Sequence, residues 1–127
     1  MSGRPVLNWW SVPEVLAHDL LEQRTEIEAH LLDYWDRNVR SYPFEFLEAY
    51  LLPILKAGPS SVSFGVGTHL LAELLSHADP DVVEATMRAV IEPLAMCANA
   101  AEPVVASLPE PSRKLAERMV SGFRANP

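Results

Sequence analysis

Residues 67–94, Gly-Thr-His-Leu-Leu-Ala-Glu-Leu-Leu-Ser-His-Ala-Asp-Pro-Asp-Val-Val-Glu-Ala-Thr-Met-Arg-Ala-Val-Ile-Glu-Pro-Leu, constrain the fold most. They read as two helices folded back on each other at Asp79-Pro80. Leu70, Leu71, Leu74, Leu75 and Ala78 share one face of the first helix, with His69, Ala72, Glu73, Ser76 and His77 on the other. Asp79 is placed to cap the second helix, with Pro80 at its first position and Asp81 and Glu84 suiting its N-terminus electrostatically. Val82, Val83, Thr86, Met87, Val90, Ile91, Leu94 and Cys97 cover about half of that helix, and Asp81, Glu84, Arg88 and Glu92 lie opposite. Pro93 predicts a kink or division near Glu92.

Proline punctuates the rest of the chain, 11 times in 127 residues. Ser11-Val12-Pro13-Glu14 predicts a helix start, with Ser11 as cap and Glu14 closing a capping box. Trp10 and Val15 have the spacing of a hydrophobic staple. Helix 1 is expected over about 12–38, with Leu16, Leu20, Ile27, Leu31, Tyr34 and Trp35 inward and Asp19, Glu22, Glu26, Asp33, Asp36 and Arg37 outward. His18 and His30 fall toward that polar side, where Glu22 and Glu26 are their helical neighbours. A turn at Asn38–Ser41 leads to helix 2, about 42–57, capped by Ser41, kinked at Pro53 and stopped by Gly58-Pro59. In helix 2, Phe44, Phe46, Leu47, Tyr50, Leu51, Ile54 and Leu55 spread over about half the circumference, so it is central or faces both a core and a partner.

Residues 58–68 allow two readings. In the first, which we favour, Ser60 or Ser61 caps a helix that already holds Val62, Phe64 and Val66, and Gly65 and Gly67 admit another helix closely. In the second the stretch is a loop and Thr68 is the cap. Residues 95–106 are small and apolar, with Pro103 as a further break. A last helix, about 110–123, carries Leu115, Met119 and Phe123 at helical spacing. It holds Arg113, Lys114 and Arg118, and this basic end is expected to pack beside the acidic helix 1 of the same chain or beside that of a neighbouring subunit. The expected fold is therefore all-α. It is one domain spanning 1–127, an irregular bundle of about five helices, several Pro-kinked, with an extended arm over 1–10, the bundle over 11–123 and a tail over 124–127.

Leu70 to Ile91 resembles one helical hairpin of the armadillo or HEAT type, carried by Leu-Leu, the Asp-Pro-Asp turn and Val-Val before Ala-Val. No second copy at a fixed period is visible in the sequence, and such solenoids stack about three units or more. Phe46-Leu-Glu-Ala-Tyr-Leu-Leu-Pro53 followed by His69-Leu-Leu is similar in outline to the helical cap of cobalamin-binding proteins, but lacks the Trp and the Glu-His pair of that family.

The net charge of −7 and pI near 5.0 argue against nucleic acid or anionic lipid as partner. One cysteine, Cys97, gives no internal disulfide and fits a reducing compartment. No signal peptide or apolar run long enough for a membrane span is evident, so the expectation is a cytoplasmic protein.

Few residues form a pattern that carries chemistry. His69, Glu73 and His77 recur at i, i+4, i+8, a spacing that presents two imidazoles and a carboxylate to a metal, although the outer two are about 12 Å apart along the axis. Gly65-Val-Gly67-Thr68 falls short of both dinucleotide and P-loop signatures. No catalytic set is assembled in the sequence, and no cofactor is named by it. The expected function is a non-enzymatic helical interaction or assembly module that self-associates or docks a protein, with Trp9, Trp10, Phe44, Phe46 and Tyr50 as partner contacts. The alternative is a small-ligand or cofactor binder with a pocket between kinked helices, near Tyr50, Pro53, Phe64, Gly65, Gly67 and His69.

Overall fold

The computed structural model describes residues 3–37, 42–97 and 99–125, for 34–37 and 42 as backbone only. The expected turn at Asn38–Ser41, its Ser41 cap, the Tyr34 and Trp35 side chains and the last two residues of the tail lie outside that description. The described residues are all-α. Their helices are α1 (Val12–Asp19), α2 (Arg24–Arg37), α3 (Tyr42–Phe46), α4 (Leu52–Ala57), α5 (Phe64–Leu75), α6 (Pro80–Thr86), α7 (Glu92–Met96), α8 (Ala101–Ala106) and α9 (Ser112–Ala125). α3 and α4 are joined without interruption by a π turn, Leu47–Leu51, and α6 and α7 by another, Met87–Ile91. The described chain thus makes seven rods rather than five. One extra comes from a break in helix 1 and the other is the short α8.

The break in helix 1 lies at Leu20, whose backbone leaves the helix at φ −94°, ψ 78°. Hydrophobic periodicity continues through it, since Leu16, Leu20, Ile27 and Leu31 are all buried. What ends α1 is a cap from further along the chain. Arg24 donates from Nε to the Ala17 carbonyl (2.9 Å) and from Nη2 to the His18 carbonyl (3.0 Å), satisfying two C-terminal carbonyls that a continuous helix would have satisfied itself. α2 then packs back against α1.

Pro53 and Pro93 do not simply kink their rods. Each follows a π turn, in which Leu52 N–H donates to the Leu47 carbonyl and Glu92 N–H to the Met87 carbonyl. A proline ring in a helix clashes with the carbonyl four residues back and offers it no N–H. Widening the preceding turn by one residue relieves the clash and keeps the ladder going. The two rods meet at these π turns and form the centre of the core. Phe46, Leu47, Leu51 and Leu55 on one, and Ala89, Val90, Ile91 and Leu94 on the other, are 0–1% exposed. Pro103, expected to be a break, instead sits in the first turn of α8, where a missing N–H costs nothing.

The hairpin at Asp79-Pro80 forms as the sequence predicts. Asp79 accepts from the Asp81 N–H at 2.9 Å, and α5 packs on α6. Gly58 ends α4 at φ 86°, a value that favours glycine. Between them, residues 59–63 turn and α5 starts at Phe64 after Ser63. Neither Ser60, Ser61 nor Thr68 is therefore the cap, and Val62 is 90% exposed. Of the two glycines, only Gly67 serves close packing. A Cβ there would lie 3.1 Å from Ile54 Cγ2 and 3.2 Å from Leu55 Cδ2, whereas one on Gly65 meets nothing within 4 Å. α9 packs on α7 and on the second π turn rather than beside the acidic helix 1. Arg124 donates to the Ala95 carbonyl and to Glu102 there.

These contacts set a pair of opposite expectations for urea unfolding. Gly67→Val overpacks the α4–α5 contact and is expected to lower stability by about 1–3 kcal/mol. Gly65→Ala, at an open helical position, is expected to raise it by about 0.5 kcal/mol.

Candidate functional site

The N-terminal arm is extended and docked. Arg4 is its anchor. Its Nε faces both carboxylate oxygens of Asp19 (3.1 and 3.0 Å), while Nη1 and Nη2 donate to the two oxygens of Glu73 (3.0 and 2.8 Å). One guanidinium thus bridges α1 and α5 through two two-point carboxylate contacts, the strong form of charge-assisted bond. Further along, His77 accepts the Asp79 N–H at Nδ1 (3.0 Å) and donates from Nε2 to the Leu7 carbonyl (2.7 Å). The arm ends in a one-turn 3₁₀ helix, Trp9–Ser11. Its capping box comes from Asn8, whose Oδ1 accepts from the Trp10 and Ser11 N–H groups while Ser11 Oγ accepts from the Asn8 N–H. The box therefore lies three residues earlier than the sequence suggests: Ser11 stands at the N-cap position of α1 as expected but makes no side-chain cap bond there, and Glu14 closes no box. The staple loses its cap as well: Trp10 is 62% exposed, and it is Trp9 that packs against the core.

That turn places Trp9 beside residues remote in sequence. Trp9, Pro43, Phe44 and Ala85 line a cleft of about 460 Å³, rimmed by Asp81, Glu84, Arg88 and Glu92. Phe44 is 37% exposed there. Arg88 and Glu92 face each other at 3.7 Å across the second π turn. On the far side of that pair lies a second cleft, of about 390 Å³, lined by Met87, Met119, Gly122 and Phe123 together with Arg88 and Glu92. The outer face of the rod 80–96 is thus flanked by two partly apolar clefts. The sequence points to Trp9 and Phe44, but reads Asp81, Glu84, Arg88 and Glu92 only as the polar side of a helix. Their i, i+3 and i, i+4 spacing is the signal in the sequence that they form one row.

The other expected contacts go elsewhere. Phe46 is fully buried, so it is a core residue and not a partner contact. Tyr50 packs against the core and its hydroxyl lies 2.9 Å from His30 Nδ1. His30 does not pair with Glu22 or Glu26 along its own helix. Its Nε2 lies 2.7 Å from Glu45, and its ring stacks on Phe46 at 4.4 Å. A carboxylate, an imidazole and a hydroxyl in series are the parts of an activated nucleophile. Here burial, aided by the Glu26 and Glu45 carboxylates, holds the Tyr50 phenol above its usual range, which opposes ionisation. None of the three lines either cleft, and the cluster joins α2 to the rod 42–57.

The proposed ligand residues do not converge. Phe64 and Gly67 are buried, Gly65 and His69 are exposed, and the close α4–α5 contact at Gly67 fills the space between those helices. The histidine row is divided too. His69 is 78% exposed and 3.6 Å from Glu73, Glu73 is committed to Arg4, and His77 holds Leu7. Among the described residues no cluster of three metal-ligating side chains occurs. Cys97 is half-buried at the end of α7. No described helix is long and apolar enough to cross a membrane. Against known proteins, no family model, no curated protein and no solved structure matches the chain.

The arm's anchor makes its docking depend on pH. Partial burial pushes the Asp19 carboxyl up, but hydrogen bonds from Arg4 and His18 outweigh this and hold it below the ordinary carboxylate range. A lowered folded value means that the carboxylate's contribution is complete above the unfolded value and is lost as pH falls through the folded one. Limited proteolysis of the arm is therefore expected to accelerate at acid pH. In Asp19→Asn it is expected to be fast at neutral pH already, with the acid dependence reduced.

Proposed function

We propose that the chain is a non-enzymatic helical interaction module and that its docking face is the outer side of the rod 80–96. One observation carries this reading: Trp9 and Phe44, from separate elements, line one cleft with Pro43 and Ala85 beneath a charged rim. Large aromatic side chains at the wet edge of an apolar cleft supply anchoring area, and the charged rim supplies register and selectivity. The dedicated docking of the arm, through Arg4 and His77, is what holds Trp9 there.

Small-ligand binding is a second reading, and one observation favours it. A cleft of about 680 Å³ between the arm, α1 and α2 is lined by Gly3, Pro5, Glu14, His18, Arg24 and Leu32, and one carboxylate oxygen of Glu14 is buried without a hydrogen bond. Native mass spectrometry of the purified protein separates the two readings, since a resident ligand adds mass.

Photo-crosslinking tests the interaction reading. A benzophenone side chain at position 44 is expected to give a defined protein adduct, of the chain itself or of another protein identified by mass. The same group at Lys56, exposed at the other end of the rod 42–57 and lining neither cleft, gives none. Reaction with solvent alone at position 44 contradicts the proposal.

A further inference from the structure

We infer that the occupant of this face is a second copy of the same chain, arranged about a two-fold axis. This rests on the interaction reading above and adds the identity of the partner. The two clefts share Arg88 and Glu92 and so lie on one side of the molecule. They differ in charge. The Trp9–Phe44 cleft carries Asp81 and Glu84, both exposed at the start of α6. The Met119–Phe123 cleft lies beside the row Lys114, Arg118, Gly122, spaced i, i+4, i+8 along α9, in which both basic residues are exposed.

Neither Asp81 nor Glu84 uses its carboxylate in a hydrogen bond or ion pair with a described residue, and neither Lys114 nor Arg118 uses its charge in one. The remaining basic residues of α9 are committed: Arg113 donates to the Leu108 carbonyl, and Arg124 to the Ala95 carbonyl and Glu102. One face therefore holds an apolar cleft with unpaired acids next to an apolar cleft with unpaired bases. A two-fold rotation brings each cleft of one copy onto the opposite cleft of the other, so that the acidic-to-basic contact forms twice and the assembly closes as a dimer. Opposite charges then meet at the rim of aromatic and methionine contacts, where they set orientation and exclude the like-charged register.

Charge exchange between the two patches tests this directly. In light scattering over a concentration series, the wild-type chain of 14.1 kDa is expected to approach twice that mass, less readily at high salt. Asp81→Lys with Glu84→Lys, and separately Lys114→Glu with Arg118→Glu, place like charges at both symmetric contacts. Each pair of changes is expected to weaken association at least about tenfold. An equimolar mixture of the two variants restores opposite charges at both contacts and is expected to re-form the dimer. Circular dichroism checks folding. If either double variant does not fold, Glu84→Lys and Arg118→Glu serve as the pair. A wild-type chain that stays monomeric throughout, a dimer indifferent to both variants, or a mixture that fails to recover overturns the inference. A monomer that still yields a crosslink to a different protein at position 44 overturns only the second-copy assignment. Absence of any adduct removes the docking face as well.

Discussion

The crossing of the two proline-bearing rods at their π turns is the contact on which the rest of the structure depends. Leu47-Glu-Ala-Tyr-Leu-Leu-Pro53 and Met87-Arg-Ala-Val-Ile-Glu-Pro93 place the same device in the same frame, forty residues apart. Each rod loses one regular hydrogen bond at its proline and regains the ladder by widening the turn before it. Leu47, Leu51, Val90 and Ile91 are buried along these widened turns. Each fully buried side chain of this kind contributes roughly 1.5–3 kcal/mol of transfer free energy. α5 and α9 then pack around the crossed pair, α5 against α4 and α6, and α9 against α7.

This arrangement leaves one side of the rod 80–96 open. Its inner side is committed to the first rod and its flanks to α5 and α9. Among the described residues, what stays uncovered is the strip bearing Asp81, Glu84, Arg88 and Glu92, with an apolar cleft on either side. The arm adds Trp9 to one of these clefts, and that placement depends on long-range polar contacts rather than on burial. Arg4 reaches Glu73 across 69 residues of sequence, and His77 reaches Leu7 across 70. A surface ion pair contributes little by itself, but two-point bonding of one guanidinium to two carboxylates fixes geometry. The face is thus built on a rigid core and completed by a segment that could otherwise be loose.

Local chemistry made much of the fold legible in the sequence. The Asp79-Pro80 hairpin, the Asp79 cap, the Gly58 stop and the leucine face of α5 follow from propensities within a few residues, and they appear as expected. The misplaced features all turn on distant or competing partners. Periodicity through Leu20 is unbroken, and only Arg24 reaching back to Ala17 and His18 ends α1. Asn8 draws the Ser11 hydroxyl into its own capping box, so no side chain caps α1. Phe46 and Tyr50 sit on a half-apolar helix that looks ready for a partner, yet the second rod and His30 on α2 cover them. Of the candidate face, Trp9 and Phe44 were legible because large aromatic residues near a helix start stand out. The acidic and basic rows were legible as polar sides of two helices but not as a pair, because only the fold puts the two on one side.

Methionine methyl and tryptophan indole NMR across a dilution series tests the docking face most directly. The chain has 4 methionines, of which Met87 and Met119 line the second cleft while Met96, 50% exposed, lines neither. The account predicts concentration-dependent shifts of the Met87 and Met119 methyls and of the Trp9 indole, with Met96 unchanged. Shifts at Met96 with Met87, Met119 and Trp9 still, or no shift at any concentration, would contradict it.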